Sequence, residues 1–245
     1  MGAPVVERVV HLLAVVVAAA VVWLATGGLA WPARALTVVL VVLLPPLAVA
    51  QVGLVESEDV AAHRNAVYLS SAGVHWLLAG VAVWAGLASG FGVDGLGLIA
   101  LPPLPVLAWS VGTILVLVAV VLVGRALGLR ESPLLACLLP RTGKEKLGFA
   151  ALAVSAGVCE EVVFRGFLLA ALTVATGSAW VAAPLAAGAF GILHAYQRAT
   201  GVARAAVLGL LLTVPFLATG SLIPSIIAHV GLDLLAGLWL GRRLV

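Results

Sequence analysis

Blocks of about 18 to 25 apolar residues, separated by short polar connections, recur from one end of this chain to the other, and no other feature narrows its fold as much. A helix of that length crosses a hydrocarbon core about 30 Å thick. Inside lipid each backbone N–H and C=O must find its partner within the protein, so only helices and closed barrels span a bilayer. Continuous apolar runs, rather than alternation, select helices. Composition agrees: of 245 residues 64% are hydrophobic and 9% charged, with a mean hydropathy of +1.25. The expected fold is an all-α, polytopic transmembrane helix bundle, a single membrane domain over residues 1–245 with no soluble domain.

Eight spans are expected, at Val9 to Leu29, Ala35 to Val55, Ala66 to Ser89, Pro105 to Gly124, Leu147 to Thr173, Ala179 to Tyr196, Val202 to Ala218 and Leu222 to Leu240. No cleavable-signal pattern precedes them, so the first block is read as a permanent span. Pro45 and Pro46 at mid-depth of the second should kink it. Frequent glycine and alanine allow close helix approach, which drives association in lipid. Eight spans with the N-terminus inside put Arg8, Arg64, Arg125, Arg130, Arg141, Lys144, Lys146, Arg198, Arg204, Arg242 and Arg243 on one side and Arg34 alone on the other. By the positive-inside rule both termini are cytoplasmic. The basic loop from Arg125 to Lys146 then faces anionic headgroups and reads as a topology signal. Composition suggests a multi-pass protein of a prokaryotic cell (inner) membrane. Cys137 and Cys159 cannot build a disulfide framework and read as small buried residues.

Against this background the stretch Gly157–Phe167, GVCEEVVFRGF, is anomalous. An ionised group at the centre of a membrane helix costs about 2.5 to 3.5 kcal/mol on insertion scales, so Glu160, Glu161 and Arg165 must face one another or a wet cavity. Glu161 and Arg165, four apart, share a helix face and can pair. His229 and Asp233 are also four apart, and Phe190 lies one turn before His194, setting an aromatic wall beside an imidazole. Gly157 and Gly166 allow close approach to the acidic site. The chain therefore divides into residues 1–146, four chemically plain spans and a basic loop, and residues 147–245, which hold nearly all the embedded ionisable groups. His11 and His75, without acidic neighbours on their own helices, read as packing or interfacial residues, and His63 falls in a polar loop. Cys159 reads as an inert protonated thiol. Trp31, Trp109, Trp180 and Trp239, near span ends, read as interfacial anchors.

The order EExxxR (Glu160, Glu161, Arg165), FxxxH (Phe190, His194) and HxxxD (His229, Asp233), on separate apolar spans, resembles the CAAX protease and bacteriocin-processing family of intramembrane proteases, also called the Abi family. The resemblance runs from about Leu147 to Leu240 and is strengthened by Gly166 after Phe164 and Arg165. Asp233 stands where relatives of the prenyl-protein proteases usually carry asparagine. The resemblance implies a CAAX-protease-like endopeptidase acting on a membrane-embedded or lipid-anchored protein or peptide at the bilayer, not on nucleic acid; it names neither the substrate nor an oligomeric state. It implies Glu160 as general base, His194 sharing in activation of the water, and His229 and Asp233 facing the scissile carbonyl, with Asp233 preferred as the group orienting His229. Glu161 and Arg165 are expected to be structural, with Phe190 supporting. No cofactor is favoured, although Glu160, His194 and His229 together would suit zinc. Outside the family reading, a proton-coupled transporter would place polar groups at matching points of two halves, and a non-catalytic membrane scaffold would have no need of the whole acid–imidazole set.

Overall fold

The computed structural model describes residues 3–54, 57–129 and 132–240, so Val55, Arg130, Arg242 and Arg243 lie outside the described residues. It is helical throughout, with short turns and loops and no strand among the described residues. Eight apolar helices run in chain order: α1 (Ala3–Ala25), α2 (Trp31–Ala50), α3 (Arg64–Ala88), α4 (Pro103–Ala126), α5 (Gly143–Thr176), α6 (Ala179–Leu193), α7 (Arg198–Thr219) and α8 (Ile223–Leu234, continued by π-helical turns over Leu235–Leu240). Among the described residues five helices, α2, α3, α4, α5 and α7, are long and apolar enough to cross a membrane, and Val10–Ala25, α6 and Ile223–Trp239 are shorter apolar helices.

Local chemistry sets several of these boundaries. In α2 the helix widens into a π turn at Val39–Leu43, immediately before Pro45 and Pro46. A proline cannot donate to the ladder, and the widened turn accommodates that missing N–H within the helix. The fifth helix starts earlier than hydropathy suggests, because Thr142 and Glu145 form a capping box: the Glu145 N–H donates to the Thr142 hydroxyl, and the Glu145 carboxylate accepts from the Thr142 N–H. Its far end closes at Gly177, in the left-handed region at φ 73°.

α5 is the central element. It packs against α3 along one side and against α6 and α8 along others, while α6 also meets α2 and α7, and α4 closes over α7 and α8. Leu40, Ala82, Leu96, Phe167, Leu168 and Ala182 are among the fully buried residues of the main core. The segment between α3 and α4 contributes Leu96 to that core and is tied down by backbone. The Leu222 N–H donates to the Gly97 carbonyl at 2.9 Å and the Ser221 hydroxyl to the Ile99 carbonyl at 2.6 Å. Non-helical backbone at this depth is tolerated because it is buried in protein rather than lipid.

The short helices Ser57–Ala62 and Pro133–Cys137 pack together, and Ala195–Gln197 meets both Pro133–Cys137 and the end of α2. Three connections expected on one side of the membrane thus gather at one end of the bundle. Arg64 ties that end down, donating to the Cys137 carbonyl at 2.7 Å and the Ala61 carbonyl at 2.9 Å. Arg34 lies in the first turn of α2, where it donates twice to the Trp23 carbonyl of α1. Trp31, Trp180 and Trp239 are exposed at helix ends.

Candidate active site

Near its midpoint α5 changes winding. Ordinary α-helix ends at Glu160, and Glu161–Leu168 forms a π-helical stretch holding Glu161, Arg165 and Gly166. Such widened turns are frequent at functional sites. Adjacent side chains on a helix diverge by about 100°, so the two glutamates serve different neighbours.

Glu161 turns into the protein and is completely buried. Arg165 Nη1 donates to its Oε1 at 2.7 Å, Arg165 Nη2 donates to the Gly209 carbonyl of α7 at 2.7 Å, and the guanidinium stacks over the Phe190 ring at 4.9 Å. The buried charge is thus paired through Oε1, as desolvated ions require, while Oε2 is buried without a hydrogen-bond partner among the described residues. Glu161 Oε1 also accepts from His229 Nδ1 at 2.8 Å. A carboxylate therefore locks the His229 ring and directs its Nε2 to the opposite side.

Glu160 is directed to the other flank, 15% exposed. Its Oε2 lies 3.7 Å from His229 Nε2, and its Oε1 lies 3.3 Å from Nε2 of His75 on α3. Asp233 Oδ2 is 3.8 Å from His229 Nε2 and its side chain is one-third exposed. The His229 ring thus has a carboxylate on either side. The ring is held through Nδ1 by Glu161, whereas Asp233 faces the opposite nitrogen beyond hydrogen-bond distance.

His194 follows the last residue of α6, where the helix breaks (φ −91°, ψ 21°). Its Nδ1 is 2.9 Å from the Phe190 carbonyl, and since a carbonyl only accepts, Nδ1 carries the proton and Nε2 the lone pair. Its ring lies 4.6 Å from that of Phe190, which is also 5.0 Å from Phe164 and 6.3 Å from His229. His194 is within electrostatic reach of Glu160. Beyond it the chain turns sharply, with Arg198 at φ 65°, a region costly for any residue but glycine. Gln197 bridges that turn, donating to the Tyr196 hydroxyl and accepting from Arg204.

Glycines bring these helices together. At Gly157 a Cβ would fall 2.9 Å from the Val230 backbone nitrogen, so α5 and α8 touch next to His229. At Gly166 it would fall 2.8 Å from the Leu96 carbonyl oxygen.

The structure thus collects Glu160, Glu161, Arg165, Phe190, His194, His229 and Asp233 in one region. It adds His75, which lacks an acidic neighbour on its own helix and was read as a packing residue; the first four spans are not chemically plain after all. Cys159 is buried beside the site with a free thiol. For zinc, Glu160, His194 and His229 would have to converge on one point. Among the described residues no three His, Cys, Asp or Glu side chains are grouped so as to hold a metal ion.

An acid flanked by anchored imidazoles thus lies inside the helical bundle. Residues 143–235 match the family described as type II CAAX prenyl endopeptidase, Rce1-like. That segment, which holds all three motifs, is thus similar to the CAAX proteases and supports a CAAX-protease-like endopeptidase acting on a protein or peptide in the membrane, and the run of apolar helices supports an integral membrane protein. No curated protein and no solved structure shows significant similarity to it. The matched segment begins with α5 and ends two residues after Asp233, leaving His75 outside it.

Proposed function

We propose that this peptidase is of the glutamate type, with Glu160 the general base that activates water for attack on a peptide bond of a membrane-embedded or lipid-anchored protein in a prokaryotic cell membrane. The observation that carries the reading is that both motif imidazoles are anchored through Nδ1, His229 by the Glu161 carboxylate and His194 by the Phe190 carbonyl, which presents Nε2 of each for chemistry.

Water bound between Glu160 and His194 loses a proton to the carboxylate as its oxygen attacks the carbonyl carbon. The oxyanion forms next to His229, which in its charged form donates from Nε2 while Nδ1 stays bonded to Glu161. Glu160 then passes its proton to the departing amine as the C–N bond breaks, yielding a carboxylic acid and an amine, and the acid's remaining proton moves to the amine to leave a carboxylate and an ammonium group. Arg165 takes no proton; it offsets the buried charge of Glu161 so that Glu161 can hold His229. Asp233, on the exposed side, faces the approach to His229 Nε2.

The test is cleavage of a membrane-presented peptide by purified protein. Glu160→Ala and His194→Ala are each expected to abolish it while the protein inserts and melts normally, and full activity in either would defeat the proposal. Elemental analysis of the active preparation decides the chemistry, since stoichiometric zinc would replace the glutamate mechanism with a metal-dependent one.

A further inference from the structure

The Glu160 carboxylate has two oxygens and the structure gives them different neighbours. Oε2 faces His229, and Oε1 faces His75 Nε2 at 3.3 Å. His75 comes from α3, outside the segment that matches the family, and none of the three motifs includes it.

Its placement is fixed by the close pairing of α3 with α5. About two to three turns towards the N-terminus of α3, Gly148 of α5 sits beneath Asn65 and Tyr68, where a Cβ would fall 2.7 Å from Asn65 Oδ1. Next to His75, the Trp76 indole N–H donates to the Ser155 hydroxyl of α5 at 3.1 Å. These contacts set the register of α3 on α5 and bring residue 75 level with residue 160. The other ring nitrogen of His75, Nδ1, is buried without a protein partner among the described residues. Among the described residues the polar partner within reach of the imidazole is therefore the Glu160 carboxylate.

We propose that His75 is a positioning residue for Glu160. Donation from its Nε2 holds Oε1, selects the carboxylate rotamer, and leaves Oε2, on the His229 side, as the oxygen that takes the proton from water. This rests on the reading of Glu160 as general base. It assigns to the N-terminal half of the chain a direct part in the reaction through another residue.

The test compares His75→Phe, which keeps a ring and removes the donor, with His75→Gln, which keeps a donor. A hydrogen bond to a charged group accounts for roughly 10- to 100-fold in rate, so His75→Phe should lower kcat by that factor with KM within about twofold. His75→Gln should recover most of the loss. Equal losses in the two variants, an effect confined to KM, or no loss in His75→Phe would overturn the assignment. Thermal melting of each variant separates these results from misfolding. A readout without turnover is the 15N resonance of the His75 ring in otherwise intact protein, which should shift on Glu160→Ala. An unmoved resonance would overturn the contact even if the chain cleaved no peptide at all. Inactivity of the unmutated protein, with the resonance shifting as expected, would instead count against the peptidase reading alone.

Discussion

α4 and α5 are both long enough to cross a membrane, but their apolar character and their burial run in opposite directions. The most apolar 18-residue window of α4 has a mean hydropathy of 2.8 and is 17% buried, whereas that of α5 has 1.7 and is 44% buried. In water the more apolar helix would be the inner one. Here lipid solvates α4 without cost, and the helix carrying Glu160, Glu161 and Arg165 must be surrounded by protein. The polar helix organises the bundle, and the greasy one covers it.

Substitutions on the two helices should therefore differ sharply. The largest effect expected is on catalysis, where Glu160→Ala should lower peptide cleavage by roughly a thousandfold, the range of a lost general base, with the helical circular dichroism unchanged. Next, Arg165→Met strands the buried Glu161 carboxylate and should destabilise the fold by about 3 to 5 kcal/mol, read from detergent unfolding. Gly157→Ala forces α8 away from α5 and should cost about 1 to 3 kcal/mol together with part of the activity, since His229 moves with the Val230 backbone. Asp233→Asn should lower kcat less than about tenfold, against roughly ten-thousandfold if it oriented a catalytic imidazole as a triad aspartate does. The smallest effect belongs to α4: Gly112→Ala, with nothing within 4 Å of the added methyl, should stay within about 0.5 kcal/mol. A damaging Gly112→Ala, or a harmless Gly157→Ala, would erase the contrast.

Apolar run length made the helix order legible, because the bilayer imposes one length scale on every span. Spacing along one helix was equally readable: Glu161 with Arg165 and Phe190 beside His194 are contacts four residues apart, and both are present. Contacts between helices were not. His229 has Asp233 four residues on, so the sequence points there, but its Nδ1 is held by Glu161, 68 residues away. His75 carried no signal, since its partner lies on another helix and nothing around it on α3 is acidic. The π-helical stretch at Glu161–Leu168 was also invisible, because a four-residue spacing that suits an α-helix survives one widened turn.

The Phe190 ring touches Phe164 and Arg165 on α5, His194 at the end of its own helix and His229 on α8. Neither imidazole can tilt far without pushing on the same flat surface. A peptide strand that pressed on either imidazole would push on the ring that also backs the other, so the two share a single wall.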